Sequence, residues 1–440
     1  MVKVILVSIC VLILFGTLMF VFSGCRKSAA TAILFGSDCH IDAGDESSRQ
    51  IFQDVIAHAY KTQPQLDAVA LAGDLVNNGT IEDYAAFKSI KEASVKKNTD
   101  FTACMGNHEW YMYGWGVDVL KNPGMKEEMQ SMFEAYTECA IESDIKVNGI
   151  HIIAVSPDNE MDVYRTREAY ARHQIQEAAR EDPNKPIFLI AHKNVDHTVI
   201  STFSVGSDST ESMAPDWSDE FKEFLAQYPQ LIYISGHTHN SLKDARSIYQ
   251  TAYTHVNDGC MRSGEYIIAN ISKDNVVTLH RMDAVNDEEI GSPWVIDIKA
   301  VKESREQLTY GESRYEKSAV LNFEEDARLS VREVTATEVT LEWPEASGKD
   351  EVECDYAESY ILSVTNKATG ERIDPNGVTD EWYEGYIRIW FDAYYGIFNS
   401  RQITVSGLEP NTAYIAEIFA VNPLDKPGNT IRTEFTTSAA

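Results

Sequence analysis

Five short segments of this chain concentrate side chains able to hold metal ions or move protons. They are Ser37-Asp38-Cys39-His40, Gly73-Asp74-Leu75-Val76-Asn77-Asn78-Gly79, Gly106-Asn107-His108-Glu109, Ala191-His192 and Gly236-His237-Thr238-His239. A lone histidine is ordinarily a hydrogen-bonded core or surface residue, so the signal lies in the set. Five of the eleven histidines (His40, His108, His192, His237 and His239) fall within it. Carboxylate, imidazole and amide oxygen together suit Mn²⁺, Fe²⁺ or Zn²⁺. Residues one apart lie on the same side of an extended segment. On that geometry Asp38 and His40 can grip one ion, and His237 and His239 can approach neighbouring ions. Cys39, between two donors, should point away. Gly73, Gly106 and Gly236 would let the backbone turn sharply beside the ions.

Each segment follows an apolar run that reads as a strand, which is where α/β proteins build their sites. The runs are Thr31–Gly36, Asp67–Ala72, Phe101–Met105, Pro186–Ala191 and Leu231–Ser235, with Ile150–Val155 as a further strand. Helical patterns lie between them at Arg49–Thr62, Ile81–Lys97, Met125–Tyr136 and Arg165–Arg180. Alternating strands and helices predict an α/β domain with largely parallel strands. Glu265–Ile271 and Asn275–Met282 predict a closing hairpin, which bounds that domain at about residues 32–285. Residues 286–326 are charged and read as a linker or wrap. From residue 327 to 440 the pattern is all-β, with short strands at Leu329–Val334, Glu338–Trp343, Tyr360–Asn366, Gln402–Ser406, Tyr414–Asn422 and Ile431–Thr437 and an insert at Asn376–Phe398. Regular short strands with turn signals predict a β-sandwich. It carries no clustered His or Cys, so a spacer or docking role without chemistry is expected.

The chain has 38 Lys plus Arg against 68 Asp plus Glu, a net charge of −30. Such a surface repels a phosphate backbone, which argues against polymeric nucleic acid as a partner. An anionic substrate would need a local positive focus, and metal ions supply one. At the N-terminus, Val4–Phe22 is a nearly unbroken apolar run ending at Ser23-Gly24-Cys25. Residues 1–25 resemble a bacterial lipoprotein signal with Cys25 as the lipidated residue. The alternative is an uncleaved membrane anchor, since ~18 apolar residues can span a bilayer. Both readings put the folded part outside the cytoplasm, tethered in the cell envelope. The five cysteines beyond that segment are odd in number and show no CxxC spacing, which predicts buried free thiols.

Taken in order, the motifs DxH, GDxxxNG, GNHE, H and GHxH resemble those of the calcineurin-like metallophosphoesterases over about Ala32–Met282. The resemblance implies a four-layer αββα sandwich, two facing mixed sheets flanked by helices, with two divalent ions (Mn, Fe or Zn) at the strand ends. It implies Asp38, His40, Asp74 and His239 on one ion and Asp74, Asn107, His192 and His237 on the other, with Asp74 bridging. Two divalent ions, two carboxylates and a shared hydroxide leave one net positive charge, the focus a phosphate ester needs. The implied activity is hydrolysis of a small phosphate mono- or diester by attack of that bridging hydroxide. His108, no ligand in the family, would stand beside the phosphate as acid or charge stabiliser.

Two positions depart from relatives. Asn77 stands where purple acid phosphatases carry their iron(III)-binding Tyr, which argues against a ferric centre. Asn194 stands where many relatives have Pro. The segment Leu408–Tyr414 resembles the tyrosine corner of fibronectin type III domains, and Arg328–Thr437 resembles that immunoglobulin-like sandwich as a whole. Trp110–Gly116 reads either as an apolar wall for an aromatic substrate group or as packed loop core. His58 and His173 fall in helical stretches and His151 and His280 in strands, whereas His197 and His255 are expected in loops near the cleft. A rival reading is a cell-surface binding or scaffold protein with an inactive phosphoesterase fold, against which the complete donor set argues.

Overall fold

The computed structural model describes residues 31–114, 121, 123–159, 163–195, 198–199, 217–304, 308–373, 386–390 and 400–440. The export segment, Trp115, Gly116, His197 and most of the 376–398 insert lie outside the described residues. In chain order the elements are β1 (Thr31–Gly36), α1 (Glu46–Thr62), β2 (Ala68–Ala72), α2 (Ile81–Ser94), β3 (Asp100–Cys104), α3 (Pro123–Thr137), β4 (Glu142–Val147), β5 (Ile150–Val155), α4 (Glu168–Glu181), β6 (Ile187–Ile190), α5 (Asp219–Leu225), β7 (Leu231–Ser235), β8 (Ile248–Gln250), β9 (Thr254–Asn257), β10 (Glu265–Ile271), β11 (Val276–Asp283), β12 (Glu288–Glu289), β13 (Trp294–Asp297), α6 (Ile298–Glu303) and α7 (Ser313–Lys317). The all-β part follows as β14 (Ser330–Val334), β15 (Glu338–Glu342), β16 (Ser359–Asn366), β17 (Ile387–Trp390), β18 (Gln402–Ser406), β19 (Ala413–Val421) and β20 (Ile431–Thr436).

Two mixed sheets form the first unit. One runs β12-β11-β10-β1-β2-β3 with β13 also on β11, and the other runs β4-β5-β6-β7-β9-β8. The site-bearing strands pair in parallel: β1 with β2, β2 with β3, and β6 with both β5 and β7. The period of two sorts the side chains. Ile33, Phe35, Ala68 and Ala70 meet Ile152, Phe188, Ile190 and Ile232 in a layer between the sheets, where Phe35 and Phe188 rings sit 4.8 Å apart. Ala32, Leu34, Val69 and Leu71 turn outward onto Phe52 and Val55 of α1 and Tyr84 and Phe87 of α2. Ile153, Val155 and Leu189 turn outward onto Ala171 and Ile175 of α4 and Phe221 of α5. The layers are therefore αββα. Among the described residues no helix is long and apolar enough to cross a membrane.

The stretch 286–326 wraps rather than links. Strands β12 and β13 pair antiparallel with β11, and fully buried Trp294 enters the inter-sheet core with the Arg281 guanidinium 4.5 Å from its ring. The C-terminal unit consists of a three-stranded sheet, β14-β15-β18, and a four-stranded sheet, β17-β16-β19-β20. They enclose Leu341, Trp343, Tyr360, Leu362, Tyr414 and Ile418. Tyr414 accepts a hydrogen bond from the Glu409 amide at 2.9 Å. The five cysteines at 39, 104, 139, 260 and 354 are free and buried.

If the wrap is part of the first unit's core, Trp294→Ala should cost about 3–5 kcal/mol, the usual range for deleting a buried Trp. Urea denaturation followed by circular dichroism measures this. A change below about 1 kcal/mol would mean that the wrap is peripheral.

Candidate metal centre

The five donor segments lie just past the C-terminal ends of β1, β2, β3, β6 and β7, as their order in the chain predicts. The parallel pairing brings those ends to one edge of the facing sheets. The residues there are buried or nearly so: Asp38, His40, Asp74, Asn107 and His192 are all less than a tenth exposed.

The donor atoms fall into two groups that share Asp74. Candidate ligand atoms of Asp38, His40, Asp74 and His239 all lie within 4.8 Å of one another, and those of Asp74, His192 and His237 do likewise. In the first group, His40 Nε2 lies 2.9 Å from His239 Nε2 and His239 Nε2 lies 3.0 Å from Asp38 Oδ1. In the second, His192 Nε2 lies 3.1 Å from Asp74 Oδ2, and Asn107 Oδ1 lies 3.1 Å from His192 Nε2 and 2.9 Å from His237 Nδ1. Asn107 thereby joins the second group as its neutral oxygen.

These donors fit cations better than they fit each other. Asp38 Oδ1 is buried and makes no hydrogen bond, with His239 Nε2 3.0 Å away; burial opposes a charge on His239, but Asp38 beside it raises its pKa. Asp38 Oδ2 is used up by the Ser37 hydroxyl and the His237 amide. His192 Nδ1 donates to the Ala72 carbonyl at 2.8 Å, which fixes its tautomer and leaves the Nε2 lone pair facing Asp74, an orientation typical of metal-binding imidazoles. Burial, with His192 alongside, holds the His237 pKa well below the usual histidine range, so that ring stays neutral. Burial opposes the charge on Asp38, yet His239 and His40 beside it hold its carboxyl well below the usual range.

The backbone departs from the extended geometry expected of Asp-x-His and His-x-His. Asp38, His40, Asp74, His237 and His239 all have positive φ, between 44° and 68°. The pairs do converge, but through left-handed turns rather than along one face of a strand. Glycine roles differ from expectation too. Only Gly73 of the three uses positive φ. Gly106 is required by close approach, since a Cβ there would lie 2.3 Å from Asp74 Oδ1 and 2.7 Å from His192 Cδ2. A Cβ on Gly236 would lie 2.0 Å from Ser37 Oγ. Cys39 points away as expected, its sulfur 3.5 Å from Met261 Sδ.

Glu109, quoted in its motif without a role, holds the loops together. It is fully buried and its carboxyl accepts the amides of Asp74, Leu75, Val76 and Gly106 at 2.5–3.2 Å. Burial and the Asp74 charge push its pKa up to about 8, against the pull of the Gly106 and Val76 amides. Ser37 and Asp258 were also missed: Ser37 Oγ joins Asp38 to Asp258 Oδ1, the latter at 2.6 Å. An acidic residue directly after Asn107-His108 in the motif was the one sequence signal for Glu109; nothing in the sequence links Asp258 to Ser37.

His108 sits at the edge of the centre. Its amide donates to Asp74 Oδ1 at 2.9 Å. Its Nδ1 donates to the Asn77 carbonyl at 2.7 Å, and Nε2 lies 3.9 Å from Asp74 Oδ2. Asn77 itself turns its amide to Asp42 Oδ2 at 3.3 Å. Trp110 and Tyr111 are buried, Trp110 in the core and Tyr111 accepting from Asn107 Nδ2 at 2.7 Å. For these two the packed-loop reading holds rather than the substrate wall. His255 is not in a loop: it is buried in β9, its Nε2 2.9 Å from Thr251 Oγ1.

Residues 31–241 match the family model described as calcineurin-like phosphoesterase, so the chain carries a domain of that kind. No curated protein matches the chain. Among solved structures, similarity extends to the purple acid phosphatase PPD1 from yellow lupin (Lupinus luteus) seeds, at 12% identity and a TM-score of 0.45, covering 62% of this chain and 55% of that one. The chain thus spans about half the length of that phosphatase. A chain described as a myokine structure is similar at 14% identity and TM-score 0.18, covering 28% of this chain and 97% of its own. A computationally redesigned β-sandwich protein is similar at 20% identity and TM-score 0.17, covering 26% and 87%.

The Gly106 contacts give a test that leaves every donor in place. Gly106→Ala should displace Asp74 and His192 and weaken Mn²⁺ binding about tenfold or more, the scale of outer-shell changes, with circular dichroism near wild type. Calorimetric titration reads it. Wild-type affinity in a folded variant would mean that the donors tolerate that displacement.

Proposed function

We propose that this protein is an exported, metal-dependent phosphoesterase acting on a small phosphate mono- or diester. The single observation that carries the reading is the pair of donor groups sharing Asp74, with a buried Asp38 oxygen that no hydrogen bond satisfies. Asp38, His40, Asp74 and His239 would hold one divalent ion, and Asp74, Asn107, His192 and His237 the other. Such ions supply a nucleophile from water at neutral pH and offset the charge of the phosphoryl oxygens.

The rest of the chemistry belongs to the chain. Asp74, carrying a carboxylate whose charge the His192 and His108 imidazoles favour over the cost of burial, sets the distance between the two donor groups. His108, with Nδ1 committed to Asn77, would act through Nε2, giving a proton to the leaving oxygen; burial lowers its pKa, and the Asp74 charge beside it favours the protonated form against that burial. Asn77, with its side chain on Asp42, is no substitute for a tyrosinate, which supports Mn, Zn or Fe(II) over a ferric centre. The C-terminal unit, with its Tyr414–Glu409 corner, supports a fibronectin type III-like module. Val4–Phe22 and Cys25 support a lipoprotein signal or anchor at the cell envelope. Seven intact donors argue against an inactive fold that serves only in binding.

Metal reconstitution tests the reading. Chelator-treated protein should regain hydrolysis of p-nitrophenyl phosphate or its bis-ester with Mn²⁺ or Zn²⁺, and Asp74→Asn should lose both bound ions and activity. Full activity without metal would overturn the proposal. His108→Ala separates acid from ligand: metal content should stay near wild type, whereas His192→Ala or His237→Ala should lower it. An alkyl phosphate should lose about 10²–10⁴-fold in rate, the range of general acid catalysis, and a p-nitrophenyl ester much less. Equal losses on both substrates would mean that His108 binds phosphoryl oxygens instead.

A further inference from the structure

The loop that follows His239 leads directly to the C-terminal unit. Asn240 is buried. Beyond it, the Ser241 hydroxyl and Leu242 amide donate to the two oxygens of Glu265 at 2.6 Å each. The Leu242 carbonyl accepts from Arg281 at 3.0 Å, and Arg281 also pairs with Glu353 at 2.7 Å. The Ala245 amide donates to the Tyr356 hydroxyl at 3.0 Å, and the Ala245 carbonyl accepts from Arg314, which also donates to the Val352 carbonyl at 2.8 Å. Arg246 pairs with Asp244 at 2.7 Å and with Glu358 at 2.9 Å. Glu358 is buried and is held from behind by Arg388 at 2.9 Å and by its own amide on Val421 at 3.0 Å.

We infer that residues 350–358, the later part of the connection between β15 and β16, brace the turn carrying His237 and His239, with Tyr356 and Glu358 as positioning residues for the metal centre. Two physical points carry this. His237 and His239 sit in left-handed conformations that relax unless their surroundings over-determine them. The loop leaving that turn has its polar groups met by side chains from both units, so its path depends on the docked position of the C-terminal unit. A spacer would leave those groups to water. The geometry of the brace is independent of the metal reading; only its consequence for cation affinity rests on it.

Amide hydrogen exchange on the full chain tests the brace. Tyr356→Phe removes one hydroxyl, and Glu358→Gln removes one charge at constant shape. Exchange across residues 236–247 should rise about threefold to tenfold in the first, as expected for one hydrogen bond, and tenfold or more in the second. Peptides spanning Asp38–Ile41 and Asp74–Asn77 should keep wild-type protection. Tyr414→Phe is the matched control, since it removes the same kind of hydroxyl-to-amide contact inside the C-terminal unit and should leave 236–247 unchanged. In calorimetric titration Mn²⁺ binding should weaken about tenfold in Glu358→Gln and hold in Tyr414→Phe. Unchanged exchange at 236–247 in both interface variants would overturn the brace, and so would equal acceleration by Tyr414→Phe. Failure of the wild-type protein to bind Mn²⁺ would instead sink the metal reading, with the exchange data still deciding the brace.

Discussion

Carboxylate, imidazole and amide donors at this centre are packed against one another out of water, and much of the first unit is arranged to keep them there. His40 and His239 bring ring nitrogens to 2.9 Å, and Asp38 Oδ1 stays buried without a hydrogen bond. Such an arrangement is unfavourable in itself, because buried polar atoms without partners cost about 1–3 kcal/mol each. It persists because five donor residues hang from left-handed backbone, a conformation costing L-residues roughly 1–2 kcal/mol each. Neither cost would survive on a mobile loop. Both are tolerable at the ends of fully buried parallel strands, where the adjacent backbone cannot relax.

Glu109 is the part of that restraint with the widest reach. A left-handed turn after a strand leaves its amides pointing inward, away from any ladder partner. One carboxyl from the β3 side collects three of them from the β2 side, Asp74, Leu75 and Val76, and closes on its own Gly106. The bridging candidate Asp74 and the neutral donor Asn107 are thus locked to each other through a residue that touches neither donor atom. The close approach at Gly106 follows from the same locking, since no side chain fits between the two loops.

Much of this was legible in the sequence, and the rest was hidden for identifiable reasons. Strands such as Thr31–Gly36 and Leu231–Ser235 are buried on both faces and so read as continuous apolar runs. Strand β4 (Glu142–Val147) is a half-exposed sheet edge rich in charge, and β9 (Thr254–Asn257) is buried but polar; neither carries a hydrophobic signature. The wrap was obscured for the same reason, because β13 shows only alternate residues to the core. The donor set was readable from residue type and order. Its backbone was not, because no feature of Asp-x-His distinguishes an extended segment from a left-handed one. Contacts such as Ser37 with Asp258 join positions 221 apart and exist only in the fold.

Cations would change this balance in one direction. An ion bound between donors that already face one another adds favourable interactions and forces no new backbone geometry, so its binding free energy is largely retained as stability of the folded state. A ligand at a hundred times its dissociation constant contributes about 2.7 kcal/mol by mass action, comparable to the strain of one or two left-handed residues. The acidic surface acts in the same sense, since a chain of net charge −30 concentrates cations around itself while repelling polyanions. Under the proposed function, a small phosphate ester would meet an unfavourable field everywhere except where bound cations reverse it.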